Sequence, residues 1–257
     1  MVPPLVSLAV PIFGVARTLP QTLESVLAQD EPRWECLLWD DGSCDGSRAI
    51  AAAYAARDPR FRLLGDGCNR GTAGALAAAL QQARGDFVAS LDGDDLLEPQ
   101  ALSAMLAFLH ARPDLGMAYS QYREIDAGGS LHGLGPRCLL HYSPRHLLVA
   151  FMTFHFRLIR RGAYLAVGGY DPRALLAEDY DLCLRLSEQV GIGQLARPLY
   201  RYRVHAGSLS HTHRAQQAQA SLEAARRALH RRGLDAHYQL ELDAQGRHVL
   251  RPRCAGG

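Results

Sequence analysis

Apolar residues in the first third of the chain form short runs that alternate with segments of helical periodicity. Four of these runs have the length and composition of buried strands: Leu5–Phe13, Trp34–Trp39, Phe61–Leu64 and Asp86–Leu91. The spacing between them predicts helices over Thr18–Gln29, from Asp45 as N-cap through Ala56, and over Gly71–Arg84. Strands that alternate with helices of about 10 to 15 residues indicate β-α-β units. We therefore predict an α/β fold with a mostly parallel central sheet flanked by helices.

The second half of the chain has a less regular pattern. Helices are expected over Glu98–His110, Glu178–Glu188 and Ala215–Arg232. Strands are expected over Gly116–Tyr122, Phe154–Arg160 and Leu199–Val204. Residues 126–143 are rich in glycine, proline and histidine and are predicted to form a long loop. Since neither a repeat nor a linker is evident, we predict a single domain over residues 1–257.

Two acidic clusters follow the second and fourth predicted strands: Asp40-Asp41-Gly42-Ser43 and Asp92-Gly93-Asp94-Asp95. In open sheets of this class, ligands bind beyond the carboxyl ends of the strands. Carboxylates this close repel one another unless a cation or protons neutralise them, and hard divalent cations prefer oxygen ligands. For each cluster taken alone, a solvated turn that caps a helix is the alternative interpretation.

Two segments of the second half contain further candidate groups. Glu178 and Asp179 precede an apolar helix, where the helix dipole favours an ionised carboxylate that can serve as a general base. Arg201, Arg203 and His205 alternate, so a strand would place them on one face. A neutral histidine can complete a metal shell, and an arginine can hold a phosphate. Ordinary helix-terminal charge and solvated side chains are the alternatives.

Composition narrows the classes of partner. With 48% hydrophobic and 21% charged residues, the chain is not disordered. No apolar run approaches the roughly 20 residues of a membrane-spanning helix. All 28 basic residues are arginine against 26 acidic residues, and this near balance argues against a nucleic-acid partner. The six cysteines form no CxxC pair, so a zinc site has little support and a reducing cytoplasm is expected.

The glycine-rich segment 65–71 superficially suggests a phosphate-binding loop. It is neither a Walker motif nor a GxGxxG fingerprint that opens a helix after the first strand, which argues against an ATPase or a dinucleotide enzyme. Asn69 and Gly71 within it remain candidates for placing a helix start beside a ligand.

In order along the chain, these motifs resemble the family 2 glycosyltransferases. The resemblance covers about residues 5–215 and rests on Pro11 in strand one, Asp40-Asp41-Gly42-Ser43-Cys44-Asp45, Asn69-Arg70-Gly71, Asp92-Gly93-Asp94-Asp95, Glu178-Asp179 and Tyr202-Arg203-Val204-His205. It implies an inverting enzyme of the GT-A fold, with a Rossmann-like nucleotide-binding front half. The segments Phe154-His155-Phe156-Arg157 and 177–181 are also similar to bacterial glycosaminoglycan polymerase domains.

The resemblance implies a donor site in the front half, residues 5–122. Asp41 would bind the uracil of a UDP-sugar, with Asp40 near the nucleoside. The other positions matched to nucleotide binding are Pro11, Asn69, Gly71 and Asp92. Asp92 and Asp94 match the DXD motif, and Asp94 would contact Mn²⁺ or Mg²⁺ most directly. His205 matches a histidine that contacts the metal or the diphosphate.

The resemblance also implies an acceptor-facing part, residues 123–215, followed by a C-terminal helix and tail over 216–257. Asp179 would be the catalytic base, and Glu178, Arg203 and His155 are candidate contacts to the acceptor or to phosphate. The leaving diphosphate gains charge that a cation stabilises, and the acceptor hydroxyl must lose its proton to a base. We therefore expect one sugar to pass from a UDP-sugar to a hydroxyl of a glycan or lipid-linked saccharide.

Some features depart from the family pattern or leave alternatives open. Phe13 is followed by Gly14, where family members often have asparagine, and no Gln-x-x-Arg-Trp motif of processive synthases is present. A sugar-nucleotide nucleotidyltransferase and a non-catalytic nucleotide-sugar binding module are the alternative functions. The arginine-rich helix from Ala215 either contacts an anionic membrane surface or covers the sheet. We expect a cytoplasmic location, with peripheral membrane contact as an option, and a chain that serves as one module of a larger protein.

Overall fold

A computed structural model of the chain describes residues 3–205 and 214–253. Its strands are β1 Val6–Ile12, β2 Trp34–Asp40, β3 Phe61–Leu64, β4 Phe87–Ser90, β5 Leu96–Leu97, β6 Leu115–Ile125, β7 Leu131–Leu134, β8 Arg157–Arg160, β9 Gly191–Arg203, β10 Tyr238–Leu242 and β11 His248–Pro252. Its α-helices are α1 Leu19–Leu27, α2 Ser47–Arg57, α3 Gly71–Leu80, α4 Ala101–His110, α5 Arg161–Ala166, α6 Glu178–Leu186 and α7 Arg214–Arg231. Two 3₁₀ turns cover Pro136–Leu139 and His146–Leu148.

The central sheet has the strand order β3-β2-β1-β4-β8-β6-β9-β5, and β7 pairs with the distal part of β6. The extended pairings, β1 with β2 and β6 with β9, are parallel, whereas β8 joins its neighbours by short antiparallel pairings. The α/β prediction with a mostly parallel sheet is therefore confirmed. The carboxyl ends of β1, β2 and β4 lie at one edge of the sheet and carry the segments 13–18, 41–46 and 91–95.

Period-two burial along the strands divides the core into two layers. Leu8 and Val10 of β1 face one layer, which is filled by helices α1 and α4. Ala9 faces the opposite layer, which is filled by α3, α6 and α7. The sheet is thus covered on both sides, as expected for strands that read as nearly continuous apolar runs.

The elements predicted in the second half differ from those observed in length and in number. The strand predicted over Leu199–Val204 begins at Gly191, because it pairs in parallel with β6 along most of its length, with irregular register. The strand predicted from Phe154 covers only Arg157–Arg160. The expected loop 126–143 contains strand β7 and a 3₁₀ turn, since β7 pairs with β6 at two positions.

The tail predicted after the last helix is also structured. Strands β10 and β11 form an antiparallel hairpin whose Leu240 is buried among residues of α7. Most arginines of the α7 region are bonded within the protein: Arg226 donates to the Leu240 carbonyl, Arg227 pairs with Asp181, and Arg231 pairs with Glu188. These contacts favour the covering role of this helix over a membrane-contact role.

Within residues 3–205 and 214–253, none of the helices combines the length and apolar character needed to cross a bilayer. Helix α7, which has 18 residues, is the longest of those described, and its sequence is rich in arginine and glutamine. This finding agrees with the absence of a long apolar run in the sequence.

Candidate active site

Asp41 connects the end of β2 to the start of α3. Its carboxylate is 3% exposed and accepts hydrogen bonds from the backbone N–H groups of Arg70 (2.7 Å) and Gly71 (2.9 Å). Gly71 has a φ of +69°, and Asn69 Oδ1 also accepts from its N–H at 3.1 Å. The structure therefore brings together Asp41, Asn69 and Gly71, three residues for which the sequence predicted a nucleotide-binding role.

Asp40 lies one residue earlier and faces the interior. It is 2% exposed and forms an ion pair with Arg48 at 2.9 Å. The neighbouring loop passes so close that a Cβ on Gly65, whose φ is +121°, would lie 2.4 Å from the Asp40 carbonyl oxygen. Asp40 thus directly precedes Asp41 and is held by Arg48 and by the Ser43 N–H, and its expected place near a nucleoside stays a prediction.

Asp92, Gly93, Asp94 and Asp95 form a tight turn at the end of β4, held against the first strand. A Cβ on Gly93 would lie 3.0 Å from a methyl group of Val15 and 3.2 Å from the Pro11 carbonyl oxygen, so glycine is needed for this approach. Pro11 therefore lies beside this turn, while it also pairs with Trp39 across the sheet. The contact joins the predicted nucleotide and metal positions in one pocket wall.

Asp95 anchors the turn to the last strand of the sheet. Its Oδ1 accepts from the Arg203 backbone N–H at 2.6 Å, and its Oδ2 accepts from the Tyr200 hydroxyl at 2.7 Å. Burial, followed by repulsion from Asp94 and Asp92, raises the pKa of Asp95 well above its ordinary value. No role was predicted for Asp95 from the sequence, although its position in the acidic cluster made it a candidate site residue.

Arg203 was expected to contact phosphate or acceptor, and the structure corrects this expectation. Only 2% of the residue is exposed, and its guanidinium donates to the Asp94 carbonyl at 2.7 Å and to Gln21 Oε1 at 2.9 Å. Further donations reach the carbonyls of Asp126 and Ala127 at 3.2 and 3.3 Å. Because its donors are used inside the protein, Arg203 holds the turn and does not face a ligand.

Asp94 and His205 meet at the open side of this turn. Asp94 Oδ2 lies 3.0 Å from His205 Nε2, and both side chains are about one-third exposed or less. Neighbouring ligands of an octahedral ion with bonds of about 2.1 Å are separated by about 3.0 Å. The carboxylate of Asp94 is the ligand type that suits Mn²⁺ or Mg²⁺, and the imidazole of His205, at hydrogen-bond distance from it, is close enough to complete the shell. The residues present therefore fit the metal implied by the sequence.

Asp92 lies between this pair and Asp179. Burial, followed by the negative charges of Asp179 and Asp94, raises the pKa of Asp92 to about 8. The three carboxylates are thus close enough to repel one another, although they come from segments almost 90 residues apart. A divalent cation would relieve this repulsion, because it favours the ionised form of each carboxylate.

A second group of metal-ligating types, Asp92, Asp95 and His155, places its ligand atoms within 4.8 Å of one another. This group has little access to a diphosphate, because Asp95 and His155 are buried. The His155 ring stacks on Tyr200 at 4.3 Å, and burial lowers its pKa well below the ordinary value. His155 therefore lies behind the pocket as a neutral ring, in contrast to the expected contact with acceptor or phosphate.

Asp179 is the second residue of α6, and both of its carboxylate oxygens have donors. Arg157 Nη2 lies 2.6 Å from Oδ2, and the Tyr170 hydroxyl donates to Oδ1 at 2.9 Å. Tyr170 also shares a 3.2 Å hydrogen bond with the Ser90 hydroxyl at the end of β4. The side chain of Asp179 remains 22% exposed, so an acceptor hydroxyl can approach it.

The other two acidic residues of the same helix, Glu178 and Asp181, lie in different environments. Burial, followed by the charge of Asp179, raises the pKa of Glu178 to about 7. Asp181 is buried and pairs with Arg185 at 2.8 Å and Arg227 at 3.2 Å, which makes it a structural residue. Asp179 is therefore the partly exposed carboxylate of this helix that is oriented by two donors.

Arg157 and Tyr170 were not assigned roles from the sequence. A charged residue in the apolar run 156–159 was the available signal for Arg157, because a buried strand tolerates an arginine only when it has a partner. For Tyr170 no comparable signal existed, since its partner Ser90 is 80 residues away.

Comparisons with known proteins indicate the family and the fold of the chain. The family model "Glycosyl transferase family 2" matches residues 7–168. The chain is 30% identical to chondroitin synthase from Escherichia coli over 207 residues, which cover 80% of this chain and 30% of that protein. It thus spans less than a third of the length of this relative. The similarity expected to glycosaminoglycan polymerase domains is confirmed.

Solved structures show the same fold at low sequence identity. TarS from S. aureus in complex with UDP has a TM-score of 0.66 and 19% identity, covering 85% of this chain and 64% of that one. The mannosyltransferase PcManGT from Pyrobaculum calidifontis, in complex with GDP-Man and Mn²⁺, has a TM-score of 0.65 and 20% identity, covering 90% and 75%. These likenesses establish the GT-A fold. With the family match over most of the chain, they show that this protein belongs to the family 2 glycosyltransferases.

Proposed function

We propose that this domain transfers one sugar from a UDP-sugar to a saccharide hydroxyl in polysaccharide synthesis, with inversion at the anomeric carbon and with Mn²⁺ or Mg²⁺ as cofactor. The observation that carries the proposal is the approach of Asp94 to His205 at 3.0 Å, beside a carboxylate, Asp92, whose pKa is raised by burial and then by the charges of Asp179 and Asp94. A candidate metal-ligand pair and a candidate base thus belong to one cluster of interacting carboxylates. We assign residues 5–122 to the donor and residues 123–215 to the acceptor.

Different residues of the donor half would bind different parts of the nucleotide sugar. Asp41 is positioned to accept from the uracil, because its carboxylate is already oriented by two N–H groups of the α3 start. Asp92, Asp94 and His205 would hold the cation. When bound, the cation supplies positive charge to the diphosphate as it leaves. UDP is bound in a complex of the structural relative TarS, which supports uracil as the base, whereas PcManGT is in complex with GDP-Man.

Asp179 supplies the base of the reaction. Its ionised carboxylate takes the proton of the acceptor hydroxyl. At the same time the acceptor oxygen attacks the anomeric carbon, and the bond between that carbon and the diphosphate breaks. Arg157 and Tyr170 hold the carboxylate in one orientation, so that the acceptor meets a positioned base. Since attack comes from the face opposite the leaving group, the configuration of the anomeric centre inverts.

The test is release of UDP from a panel of UDP-sugars, in Mn²⁺ or in EDTA, by wild type and by the Asp94→Ala variant. We expect slow hydrolysis of one donor, lost in EDTA and reduced at least a hundredfold in the variant. Asp114→Ala is the matched control, because Asp114 is exposed and follows α4. Absence of both turnover and metal-dependent UDP binding would reject the proposal. Release of pyrophosphate would indicate a nucleotidyltransferase, and tight UDP binding without turnover a binding module.

The anomeric configuration of the product is a separate test. The ¹H NMR coupling constant of the new glycosidic bond, compared with that of the donor, reports inversion directly. Retention would contradict the role given to Asp179, even if UDP release depended on metal.

A further inference from the structure

Arg137 occupies an unusual position on the acceptor side of the pocket. It lies in the 3₁₀ turn Pro136–Leu139, and its guanidinium carbon is 4.1 Å from the ring centroid of Phe154 and 5.6 Å from that of Phe151. The turn is held firmly against strand β6. The Gly135 N–H donates to the Tyr122 carbonyl at 3.0 Å, and a Cβ on Gly135 would overlap the Tyr122 ring.

The guanidinium of Arg137 has no carboxylate partner and no hydrogen bond among residues 3–205 and 214–253. By contrast, Arg157 pairs with Asp179, and Arg203 donates to four protein oxygens. Burial lowers the pKa of Arg137, which shows that its charge is partly removed from water. A partly desolvated cation that contacts aromatic rings but no anion is only partly stabilised in the free protein, and it gains stability when an anion binds it.

Contacts of Phe154 connect Arg137 indirectly to the candidate base and to the segment that carries His205. The Phe154 carbonyl accepts from Arg157, which is bonded to Asp179. The Phe154 ring packs at 5.3 Å on Tyr202, three residues before His205. Rings of Phe151, Phe154 and Tyr202 are partly exposed, so they offer apolar surface to a ligand.

The nucleoside is not the expected partner of Arg137. Tyr122, against which its turn packs, belongs to β6, and Asp41 follows β2. These strands are four positions apart in the sheet, which corresponds to about 19 Å at 4.8 Å per strand. An anion bound at Arg137 is therefore not part of the nucleoside. Because Arg137 lies within residues 123–215, the part that we propose faces the acceptor, we assign that anion to the second substrate.

We propose that Arg137 and the ring of Phe154 form an acceptor subsite for an anionic saccharide, in which the guanidinium binds a carboxylate or phosphate group and the ring packs against the sugar. This inference rests on the proposed function, whose substrate it specifies. A guanidinium forms two parallel hydrogen bonds with either group, so one arrangement serves a uronic acid and a phosphorylated sugar. The structure thus assigns the acceptor to the class of negatively charged saccharides.

Binding of small probes tests the subsite directly. The probes are methyl glucuronide, methyl glucoside and methyl glucoside 6-phosphate, titrated by NMR into the protein saturated with UDP and Mn²⁺. We expect wild type to bind at least one charged probe about tenfold more tightly than the neutral glucoside. The tighter of the two charged probes distinguishes a uronic acid from a phosphorylated acceptor. Equal affinity of all three probes would overturn the proposal.

The variants Arg137→Gln and Arg145→Gln form a matched pair. Arg145 also lies over an aromatic ring, Tyr238 at 5.5 Å, but it is exposed on another part of the surface. Preference for the charged probe should disappear in Arg137→Gln and persist in Arg145→Gln. Persistence in Arg137→Gln would reject the subsite. Should that variant not fold, Arg137→Lys keeps the charge without the planar fork and should retain only part of the preference.

Hydrolysis of the donor in the absence of acceptor separates this inference from the proposed function. Water replaces the acceptor in that reaction, so Arg137→Gln should lose its preference for charged probes by a much larger factor than it loses UDP-sugar hydrolysis, and Arg145→Gln should change neither. If wild type hydrolyses no UDP-sugar, the proposed function fails, whereas the subsite is still judged by the probe affinities. If Arg137→Gln loses both hydrolysis and the preference, Arg137 supports the pocket as a whole and the subsite is rejected.

Discussion

Arg157 Nη2 lies 2.6 Å from Asp179 Oδ2, and this ion pair joins a buried strand residue to a partly exposed helix residue. The arginine is 3% exposed and also donates to the carbonyls of Thr153 and Phe154, which precede it in the chain. The orientation of the candidate base is therefore determined from inside the protein. The acceptor has only to approach the open side of the carboxylate.

Replacement of Asp179 by asparagine should abolish transfer while leaving UDP binding intact. The amide keeps the size of the carboxylate but cannot take the proton, so we expect kcat to fall about 10²- to 10⁴-fold. The control is Asp181→Asn on the same helix, which removes charge from the pairs with Arg185 and Arg227. That variant should have a lower melting temperature. At assay temperatures where it is folded, its kcat should be near that of wild type. Equal loss of kcat in both variants would contradict the assignment.

Replacement of Tyr170 by phenylalanine should reduce kcat without loss of fold. The change removes the hydroxyl that donates to Asp179 at 2.9 Å and keeps the ring that packs against Tyr164. A hydrogen bond to a charged group contributes about 1.5–3 kcal/mol, so we expect kcat to fall roughly ten- to a hundredfold. Steady-state kinetics with a saturating donor would measure this. An unchanged kcat would mean that Arg157 alone orients the base.

The contribution of Asp92 to the stability of the metal-free protein should fall as pH rises from about 4 to 8. The pKa of Asp92 is about 8 in the fold against an ordinary value of 3.8, so in this window the native state holds a proton that the unfolded state has lost. Unfolding then releases a proton, and higher pH favours it. Glu178, with a pKa of about 7, acts in the same direction.

Thermal denaturation of wild type and Asp92→Asn between pH 5 and pH 8.5 would check this dependence. Asparagine does not titrate, so the melting temperature of the variant should exceed that of wild type by a margin that grows with pH. A relief of 1 kcal/mol corresponds to about 2–4 °C in a protein of this size. Excess Mn²⁺ should stabilise wild type more at pH 8 than at pH 5. A constant difference between the two proteins across the range would contradict the raised pKa.

Replacement of Gly65 by alanine should weaken UDP binding and destabilise the fold. The new Cβ would lie 2.4 Å from the Asp40 carbonyl oxygen, so the backbone beside Asp41 would have to move. Gly67→Ala is the matched control, because Gly67 also has a positive φ, +79°, but has open space around its Cβ. We expect about 1 kcal/mol of strain in the control and substantially more in Gly65→Ala. Equal effects on UDP affinity would show that the close contact is unimportant.

The front half of the fold was predictable from the sequence because its strands are apolar runs with clear ends. Strand β1 was expected over Leu5–Phe13 and is observed over Val6–Ile12, and Phe61–Leu64 is observed as expected. Strand β9 was missed over its first eight residues, because Gly191-Ile192-Gly193-Gln194 shows no alternation that a local pattern could detect. Its extent is decided by pairing with β6, which lies about 75 residues earlier.

The candidate site was likewise only partly predictable from the sequence. Asp41, Asp94, Asp179 and His205 were identified by residue type and order, and the structure brings Asp94 and His205 into contact. Arg203 was misjudged because an arginine beside such residues suggests a phosphate ligand, and only the distant Gln21 reveals that its donors are already used. The burial of His155 is likewise set by Tyr200, through a stacking contact that no local pattern encodes.

The hydrogen bonds of Arg203 also constrain the order in which the site can form during synthesis. Its side chain joins Gln21 and Asp94, which lie 182 and 109 residues earlier in the chain. Strand β5, beside the acidic turn, likewise pairs with Arg201 and Tyr200. A nascent chain that ends before these residues contains β1 to β4 and Asp41, yet it lacks the contacts that hold the acidic turn. The segment that we propose binds the nucleotide is therefore synthesised before the residues that complete the proposed cation site.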